Sequence, residues 1–141
     1  MSAGQNRSGS LRFLQPPGWT PPKGYANGVA ARGTTVFVGG QIGWNGQQVF
    51  ESDDFVAQAT QALRNVIAIL AEAGAGPEHI TRMTWYVTDK REYVESYRAL
   101  GAAYREVIGR HFPAMTAVQV AALIEDRAKV EIEVTAVVPD A

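Results

Sequence analysis

Two glutamates near the carboxyl terminus are the strongest candidates for chemistry in this 141-residue chain. Glu131 and Glu133 lie two residues apart in a segment that alternates apolar and polar residues. Because successive side chains of a strand point to opposite faces, this spacing places both carboxylates on one face of a predicted strand. The simplest interpretation is a solvated face. The alternative is that one glutamate acts as a general base at a boundary between subunits.

His111 is the other candidate catalytic side chain. It precedes Phe112 and Pro113 at a predicted helix–strand junction, where a lone histidine is more typical of a cap or a surface group than of a catalyst. The chain has 2 histidines and 0 cysteines. The missing cysteines exclude a thiolate nucleophile, a disulfide framework and a cysteine-ligated metal site, and we expect no metal or other cofactor.

Composition argues against several further classes of protein. There are 13 Lys and Arg against 14 Asp and Glu, a net charge of −1, with no basic run to attract nucleic acid. The apolar stretch over residues 66–71 is too short to span a bilayer, and the amino terminus lacks the apolar core of a secretory signal. The Gly39-Gly40 pair favours a tight turn or close backbone approach over a nucleotide loop. We therefore expect a cytoplasmic protein whose partners are neither nucleic acid nor membrane.

The residues before Tyr25 are expected to form a flexible arm. Residues 1–10 are rich in Ser, Gly and Asn and have little apolar surface to bury, so we expect them to be disordered. Four prolines between residues 15 and 23 favour an extended backbone. The predicted organisation is therefore an arm over residues 1–24 and a single folded domain over residues 25–141.

Hydrophobic spacing predicts eight elements in the order βββαβαββ. The predicted strands cover residues 28–31, 34–39, 48–50, 80–87, 115–123 and 129–138. The predicted helices run from a cap at Ser52 or Asp53 to Gly74, and from Arg91 to Ile108. A hairpin turn at Arg32-Gly33 is expected to join the first two strands. This is an α+β fold with two helices on one face of a mixed six-stranded sheet, and we expect other copies of the chain to cover the second face.

Six segments, taken in order, resemble the Rid (YjgF) family of reactive-intermediate deaminases. They are Tyr25-Ala-Asn-Gly-Val-Ala, Val36-Phe-Val-Gly-Gly-Gln-Ile, Gln58-Ala-Thr-Gln-Ala-Leu-Arg-Asn-Val, Trp85-Tyr-Val-Thr-Asp, Phe112-Pro-Ala and Val130-Glu-Ile-Glu-Val. The resemblance covers residues 25–138. It implies a chorismate-mutase-like subunit, a homotrimer with clefts between subunits, and cofactor-free hydrolysis of small enamines and imines to a keto acid and ammonia.

The resemblance also implies which residues line the cleft. Glu131 matches the glutamate that helps to activate water, and Tyr25 matches a cleft tyrosine that would position the substrate. Two further cleft positions differ from the family pattern. Gly39 stands in place of a serine, and Tyr97 stands in place of an asparagine on the second helix.

The largest departure from the family pattern is at Met115. It occupies the position of the arginine that clamps the substrate carboxylate, and Thr116 and Ala117 occupy the next two cleft positions. Hydrogen bonds to a charged group contribute about 1.5–3 kcal/mol each, so loss of the clamp is expected to weaken binding of a carboxylate strongly. Met115 instead favours an uncharged or aromatic part of a ligand. Arg127, in the turn before the last strand, is a candidate replacement cation, although a turn arginine is by default solvated.

Two functions compete on this basis. The retained Glu131 favours a divergent imine or enamine deaminase, in which backbone groups near Ala117 would hold water or developing charge. Met115 favours a non-catalytic trimer that binds a small metabolite and acts as a sensor or chaperone-like partner. A third role, the ribonuclease and translation-inhibitor label once given to the family, has no support here, because the chain lacks a paired-histidine site, a basic groove and a metal cluster.

Overall fold

The computed structural model describes residues 5–8 and 11–140 of the chain. Its strands are β1 (Gln5–Ser8), β2 (Leu11–Leu14), β3 (Gly28–Ala30), β4 (Thr34–Ile42), β5 (Ile80–Val87), β6 (Ala114–Gln119) and β7 (Val130–Val138). Its α-helices are α1 (Phe55–Glu72), α2 (Lys90–Glu95) and α3 (Tyr97–Val107), and a 3-10 turn covers Pro77–His79. None of the described helices is long and apolar enough to cross a membrane.

Four strands form a mixed sheet in the order β4-β7-β5-β6. Strand β7 pairs antiparallel with both β4 and β5, whereas β5 and β6 are parallel. Helix α1 packs on β4 and β7 and against α3, and it covers the apolar face of the sheet. Val66 and Leu70 of α1 and Ile132 of β7 are all 0% exposed in this core. The predicted α+β class, with its helices on one face of a mixed sheet, is confirmed.

The N-cap of helix α1 lies one residue after Asp53 and two residues after Ser52, the two predicted caps. The side chain of Asp54 accepts a hydrogen bond of 2.9 Å from the backbone N–H of Ala57 and is the true N-cap. Ser52 instead accepts the N–H of Asp54 at 2.9 Å, and Asp53 forms an ion pair with Arg127. The predicted end at Gly74 is confirmed, because Gly74 follows the helix at φ 68°, a conformation that favours glycine.

Gln58 ties α1 to the loop between β6 and β7. This side chain is 1% exposed, and its amide nitrogen donates to the carbonyls of Ser52 and Arg127 at 3.1 and 3.0 Å. Its amide oxygen accepts the N–H of Lys129 at 2.9 Å. A buried amide with all three bonds made is a stable crosslink, since each partner would otherwise be an unsatisfied backbone group. The loop that leads into β7 is therefore held against the helix.

The predicted hairpin at Arg32-Gly33 is wrong. Strand β3 pairs with β2, and β4 pairs with β7, so the two strands belong to different sheets. At Gly33, with φ 143°, an added Cβ would overlap the carbonyl of Val138. Gly33 therefore allows the chain to pass close to β7 instead of turning back on itself.

The predicted strand over residues 48–50 is also wrong. Only one isolated bridge, between Trp44 and Phe50, forms there. The side-chain oxygen of Asn45 accepts the N–H groups of Gln47 and Val49 at 2.9 and 3.1 Å, which folds the segment into a turn. The backbone groups needed for strand pairing are thus already used locally.

The second predicted helix is divided in two, and the strand after it is shorter than predicted. Ser96 separates α2 from α3 because its backbone has left the helical region (φ −97°, ψ 7°), while its N–H still bonds to the carbonyls of Glu92 and Tyr93. Strand β6 ends at Gln119 and not at residue 123. The next residue, Val120, donates its N–H to the carbonyl of Val87 at 2.8 Å before the chain turns into a loop.

The amino-terminal segment is more regular than predicted. Residues Gln5–Ser8, expected to be disordered, form β1 and pair antiparallel with β2. Strand β2 then pairs with β3, and Leu11 is 0% exposed. Residues 1–4, 9 and 10, included in the same expectation, lie outside the described residues. The division into an arm over 1–24 and a domain over 25–141 stays a prediction.

Candidate functional site

A cavity of about 660 Å³ lies between β5, β6, α3 and the segment that precedes β3. Five of the sequence-predicted site residues line it: Tyr25, Tyr97, Met115, Thr116 and Ala117. Ligand pockets typically have volumes of about 300–1,000 Å³. The cavity is therefore large enough for a small metabolite, and the structure brings these five residues together around it.

The register of β6 on β5 decides which side chains face the cavity. Met115 is opposite Met83 and Ala117 is opposite Trp85, and both β5 residues are buried beneath the helices. Residues directly opposite in a sheet share a face, so Met115 and Ala117 point to the helix side. The N–H of Ala26 donates to the carbonyl of Pro113 at 2.9 Å, which holds the neighbouring Tyr25 at the mouth of the same cavity.

Two pairs of aromatic rings line the cavity and form its aromatic walls. In the first pair Tyr93 contacts Tyr97 edge to face, with ring centroids 5.4 Å apart, and Tyr93 also lies 6.1 Å from the ring of Trp85. In the second pair Tyr104 and Phe112 are stacked, with centroids 5.6 Å apart and planes at 12°. Such walls favour contact with a planar apolar group.

The hydroxyls of Tyr93 and Tyr104 remain neutral at physiological pH. Burial raises the pKa of Tyr104, whose hydroxyl donates to the carbonyl of His111 at 2.6 Å. Burial and the neighbouring Tyr97 likewise raise the pKa of Tyr93. Trp85 is 5% exposed, and its Nε1 has no hydrogen-bond partner within the described part of the chain.

The charge at the cavity is positive. Lys23 and Arg105 line it and are exposed, and no aspartate or glutamate lines it among residues 11–140. Neither cation forms an ion pair with a described residue. The ion pairs among the described residues lie elsewhere in the chain and are Arg64–Glu106, His79–Glu78, Arg127–Asp53 and Lys129–Glu92. The cavity thus has an uncharged side chain at Met115, and its two cations, Lys23 and Arg105, lie at the rim.

Glu131 lies outside this cavity, on the opposite face of the sheet. It is opposite Tyr86 on β5, whose neighbours Trp85 and Val87 face the helices. On β4 the register shifts between Val38 and Gln41, so Gly39 and Gly40 form a bulge beside it. A Cβ added at Gly40 would overlap the Glu131 carboxylate, whereas Gly39 has open space. Gly39 and Glu131 therefore form a second group, separate from the five cavity residues.

Glu133 lies on the same face as Glu131, as predicted. Its carboxylate accepts a hydrogen bond of 2.5 Å from the hydroxyl of Tyr86. This bond, together with the charges of both glutamates, raises the pKa of Tyr86. Glu133 is thus committed to a partner, while Glu131 has no side-chain hydrogen bond among the described residues.

Neither Arg127 nor His111 lines the cavity that contains Met115. Arg127 pairs with Asp53 at 2.9 Å and lies over the ring of Phe50, 5.1 Å from its centroid, beside a second cavity. His111 is 9% exposed, not at the surface as expected, and its Nε2 lies 2.7 Å from the carbonyl oxygen of Ile80. No group of three His, Cys, Asp or Glu that could hold a metal occurs in the described residues.

Sequence reasoning missed the two rim cations, Lys23 and Arg105, and the aromatic residues of the cavity other than Tyr25 and Tyr97. Arg105 lies four residues after Gly101 and eight after Tyr97, so all three share one face of α3. That spacing could have identified Arg105. Nothing comparable marked Lys23, because its position follows from the path of an irregular segment.

Comparison with known proteins identifies the family of the chain. The family model described as Endoribonuclease L-PSP matches residues 19–138. A RutC family protein of Aquifex aeolicus is 34% identical over 128 residues, covering 90% of this chain and 99% of its own. The 2-iminobutanoate/2-iminopropanoate deaminase of Salmonella typhimurium is 35% identical over 116 residues, covering 80% and 86%. The crystal structure of a Rid family protein of unknown function from Yersinia pestis matches with a TM-score of 0.80 at 28% identity, covering 92% and 99%. Sequence and fold together therefore show that this chain belongs to the Rid (YjgF) family.

Proposed function

We propose that the protein is a divergent imine or enamine deaminase that works as a homotrimer, with Glu131 activating the water. The observation that carries this proposal is that the Glu131 carboxylate lies against Gly40, in the space that a Cβ there would occupy. The similarity of the chain to a 2-iminobutanoate/2-iminopropanoate deaminase supports the choice of reaction. A carboxylate held at one place beside an open face can accept a proton from water. Tyr25, Tyr97 and the residues Met115–Ala117 would bind the substrate.

The proposal requires more than one chain at each site. Glu131 and Met115 are on opposite faces of one sheet, and strand β5 separates β7 from β6. Two strand spacings amount to about 10 Å, and the sheet itself blocks the path. In the proposed trimer Glu131 of the partner subunit, with Gly39 beside it, completes the cavity. This geometry supports clefts between subunits, the arrangement expected from the family resemblance.

The proposed reaction is hydrolysis of a carbon–nitrogen double bond. Water adds to the imine carbon as Glu131 accepts one of its protons. That proton passes to the nitrogen and gives a carbinolamine, with a hydroxyl and an amino group on the same carbon. The hydroxyl proton is then transferred to the nitrogen, the carbon–nitrogen bond breaks, and ammonia leaves as the carbonyl forms. The backbone near Ala117 would hold water or the developing charge. Among the described residues β6 is an edge strand, and its outer edge is paired only at Ala114, by an isolated bridge to Ala26.

Ammonia release tests the proposal directly. An amino-acid oxidase generates imines in place, and the rate of ammonia release is measured with and without the protein, using substrates with acidic and neutral side chains. We expect acceleration by the parent chain and none by Glu131→Gln. Absence of acceleration with every imine would overturn the hydrolase. The mass in solution should be three times the 15.2 kDa of the chain.

Mixed subunits test whether two chains share a site. Glu131→Gln removes the base, and Ala117→Trp fills the cavity on the other face. Each variant alone should be inactive. After the two are unfolded and refolded together, about one quarter of clefts receive an intact half from each subunit, so activity should return to that fraction. A mixture that stays inactive would contradict a shared site.

The second candidate is a binding protein without catalysis, and Met115 favours it. With Met115 in place of the family arginine, the cavity has lost the side chain that would hold a carboxylate close to the reacting carbon. In that case the trimer would bind a small metabolite as a sensor or chaperone-like partner. Ligand binding that persists in Glu131→Gln, together with no ammonia release from any imine, would favour this function.

A further inference from the structure

We infer that the cavity selects an aromatic carboxylate: a planar ring between the aromatic walls, with its carboxylate held at the rim by Lys23 and Arg105. This inference rests on the proposed function, since it names the class of substrate for the same cavity. The corresponding substrate is an aromatic 2-imino acid, and the product is the aromatic 2-keto acid.

The size and lining of the cavity argue for a ring. A volume of about 660 Å³ is much larger than a two- or three-carbon acid needs. The walls are the edge-to-face pair Tyr93–Tyr97 and the stacked pair Tyr104–Phe112. Aromatic groups gain from stacked and edge-to-face contacts beyond their buried area, whereas a methyl or ethyl group would leave most of these ring faces uncovered.

Tyr97 is the residue that distinguishes the two ligand sizes. Tyr97 lines the cavity and is 59% exposed, although the centroid of its ring lies 5.4 Å from that of Tyr93. An aromatic side chain with so much free surface has unused capacity for contact with a ring of the ligand. A shorter amide side chain at this position would remove one wall without disturbing the buried floor formed by Trp85 and Leu100.

The charges argue for a carboxylate at the rim. Lys23 and Arg105 line the cavity without an ion-pair partner among the described residues, and no acidic side chain there opposes them. Since Met115 leaves the floor apolar, a carboxylate is stabilised only at the mouth. The ligand is therefore oriented with its ring inward and its carboxylate outward.

Binding of stable keto acids tests the inference without requiring turnover. The probes are phenylpyruvate, pyruvate, and phenylacetone, which has the ring without the carboxylate; affinity is measured by calorimetry. We expect phenylpyruvate to bind at least about tenfold more tightly than either of the others. Equal affinity for pyruvate would overturn the selection for a ring, and equal affinity for phenylacetone would overturn the role of the cations.

Matched variants test separately the residues that contact the carboxylate and the residue that contacts the ring. Lys23→Met with Arg105→Met should weaken phenylpyruvate about tenfold and leave phenylacetone unchanged. The control is Lys90→Met with Arg98→Met, which makes the same change in net charge at exposed residues outside the cavity. Tyr97→Asn should weaken phenylpyruvate and not pyruvate. A similar loss in the control pair would show that net charge alone is responsible and would contradict the inference.

The indole N–H signals locate the ligand. The chain has 3 tryptophans, of which Trp85 lines the cavity and Trp44 does not. In a ¹⁵N-labelled protein, phenylpyruvate should shift the signal of Trp85 and leave that of Trp44 in place. A shift of Trp44 alone would place the ligand elsewhere and overturn the assignment to this cavity.

Ammonia release separates a failure of this inference from a failure of the proposed function. If imines of alanine are hydrolysed and imines of phenylalanine are not, the deaminase stands and the aromatic selection is wrong. If phenylpyruvate binds selectively but no imine is hydrolysed, the selection stands and the enzymatic function is wrong.

Discussion

The carboxylate of Glu131 on β7 lies against Gly40 on β4, in the space that a Cβ at that position would occupy. The contact depends on the bulge in β4, where the register shifts between Val38 and Gln41. Bulges re-aim side chains and are frequent beside functional sites. The glycine thus provides room for Glu131, whose side chain makes no hydrogen bond among the described residues.

Replacement of Gly40 by alanine should displace the Glu131 carboxylate and reduce ammonia release towards the level of Glu131→Gln. The end of the glutamate side chain can move, so the free energy of unfolding should change by less than about 1 kcal/mol. The matched control is Gly46→Ala, because a Cβ at Gly46 meets nothing within 4 Å and Gly46 is not among the predicted site residues. Equal activity in the two alanine variants would show that the position of the carboxylate does not matter.

Ionisation of Tyr86 should destabilise the protein at alkaline pH. The hydrogen bond to Glu133 raises the pKa of Tyr86 above its ordinary value of 10.0. A raised folded-state pKa means that this stabilisation is complete below the unfolded-state pKa and is lost as pH rises through the folded-state value. Ultraviolet titration of phenolate, compared with Tyr86→Phe, measures this pKa.

Glu133→Gln should lower the pKa of Tyr86, because both the carboxylate acceptor and its charge are removed. Glu95→Gln, an exposed change on α2, is the control and should leave the pKa of Tyr86 unaltered. A Tyr86 titration that is the same in both variants would mean that the hydrogen bond has no effect in solution.

Gln58→Leu should destabilise the fold by about 1–3 kcal/mol, because it leaves buried backbone groups without partners. The groups affected are the carbonyls of Ser52 and Arg127 and the N–H of Lys129. Urea unfolding measures the change. The same substitution at Gln47, whose side chain is exposed, should change the free energy of unfolding by less than about 0.5 kcal/mol.

Asp54→Ala should cost about 1 kcal/mol of stability, the typical cost of losing a helix N-cap. The neighbouring change Asp53→Ala removes only an exposed ion pair with Arg127, so its cost should be smaller. Thermal unfolding of the two variants compares them at nearly the same place in the chain. A larger loss from Asp53→Ala would assign the cap to the residue that the sequence suggested.

Local patterns in the sequence predicted the elements whose stability comes from one buried face. The three- and four-residue spacing of α1 and the alternation along β5 and β7 repeat often enough to identify each element by itself. Short segments were predicted less well, because Asn45 and Ser96 redirect the backbone through one or two hydrogen bonds. The ordered motifs of residues 25–138 were sufficient to identify the family.

Tertiary structure decided everything that depends on which strands lie side by side. The resemblance of the sequence to the family predicted that Glu131 matches the family glutamate and that Met115 replaces the family arginine. That they face opposite sides of the sheet follows from the pairing of β7 and β6 on either side of β5. Pairing joins residues far apart in the chain, and a shift of one residue would reverse every face. For the same reason only the folded chain placed Lys23 beside Arg105 at the cavity.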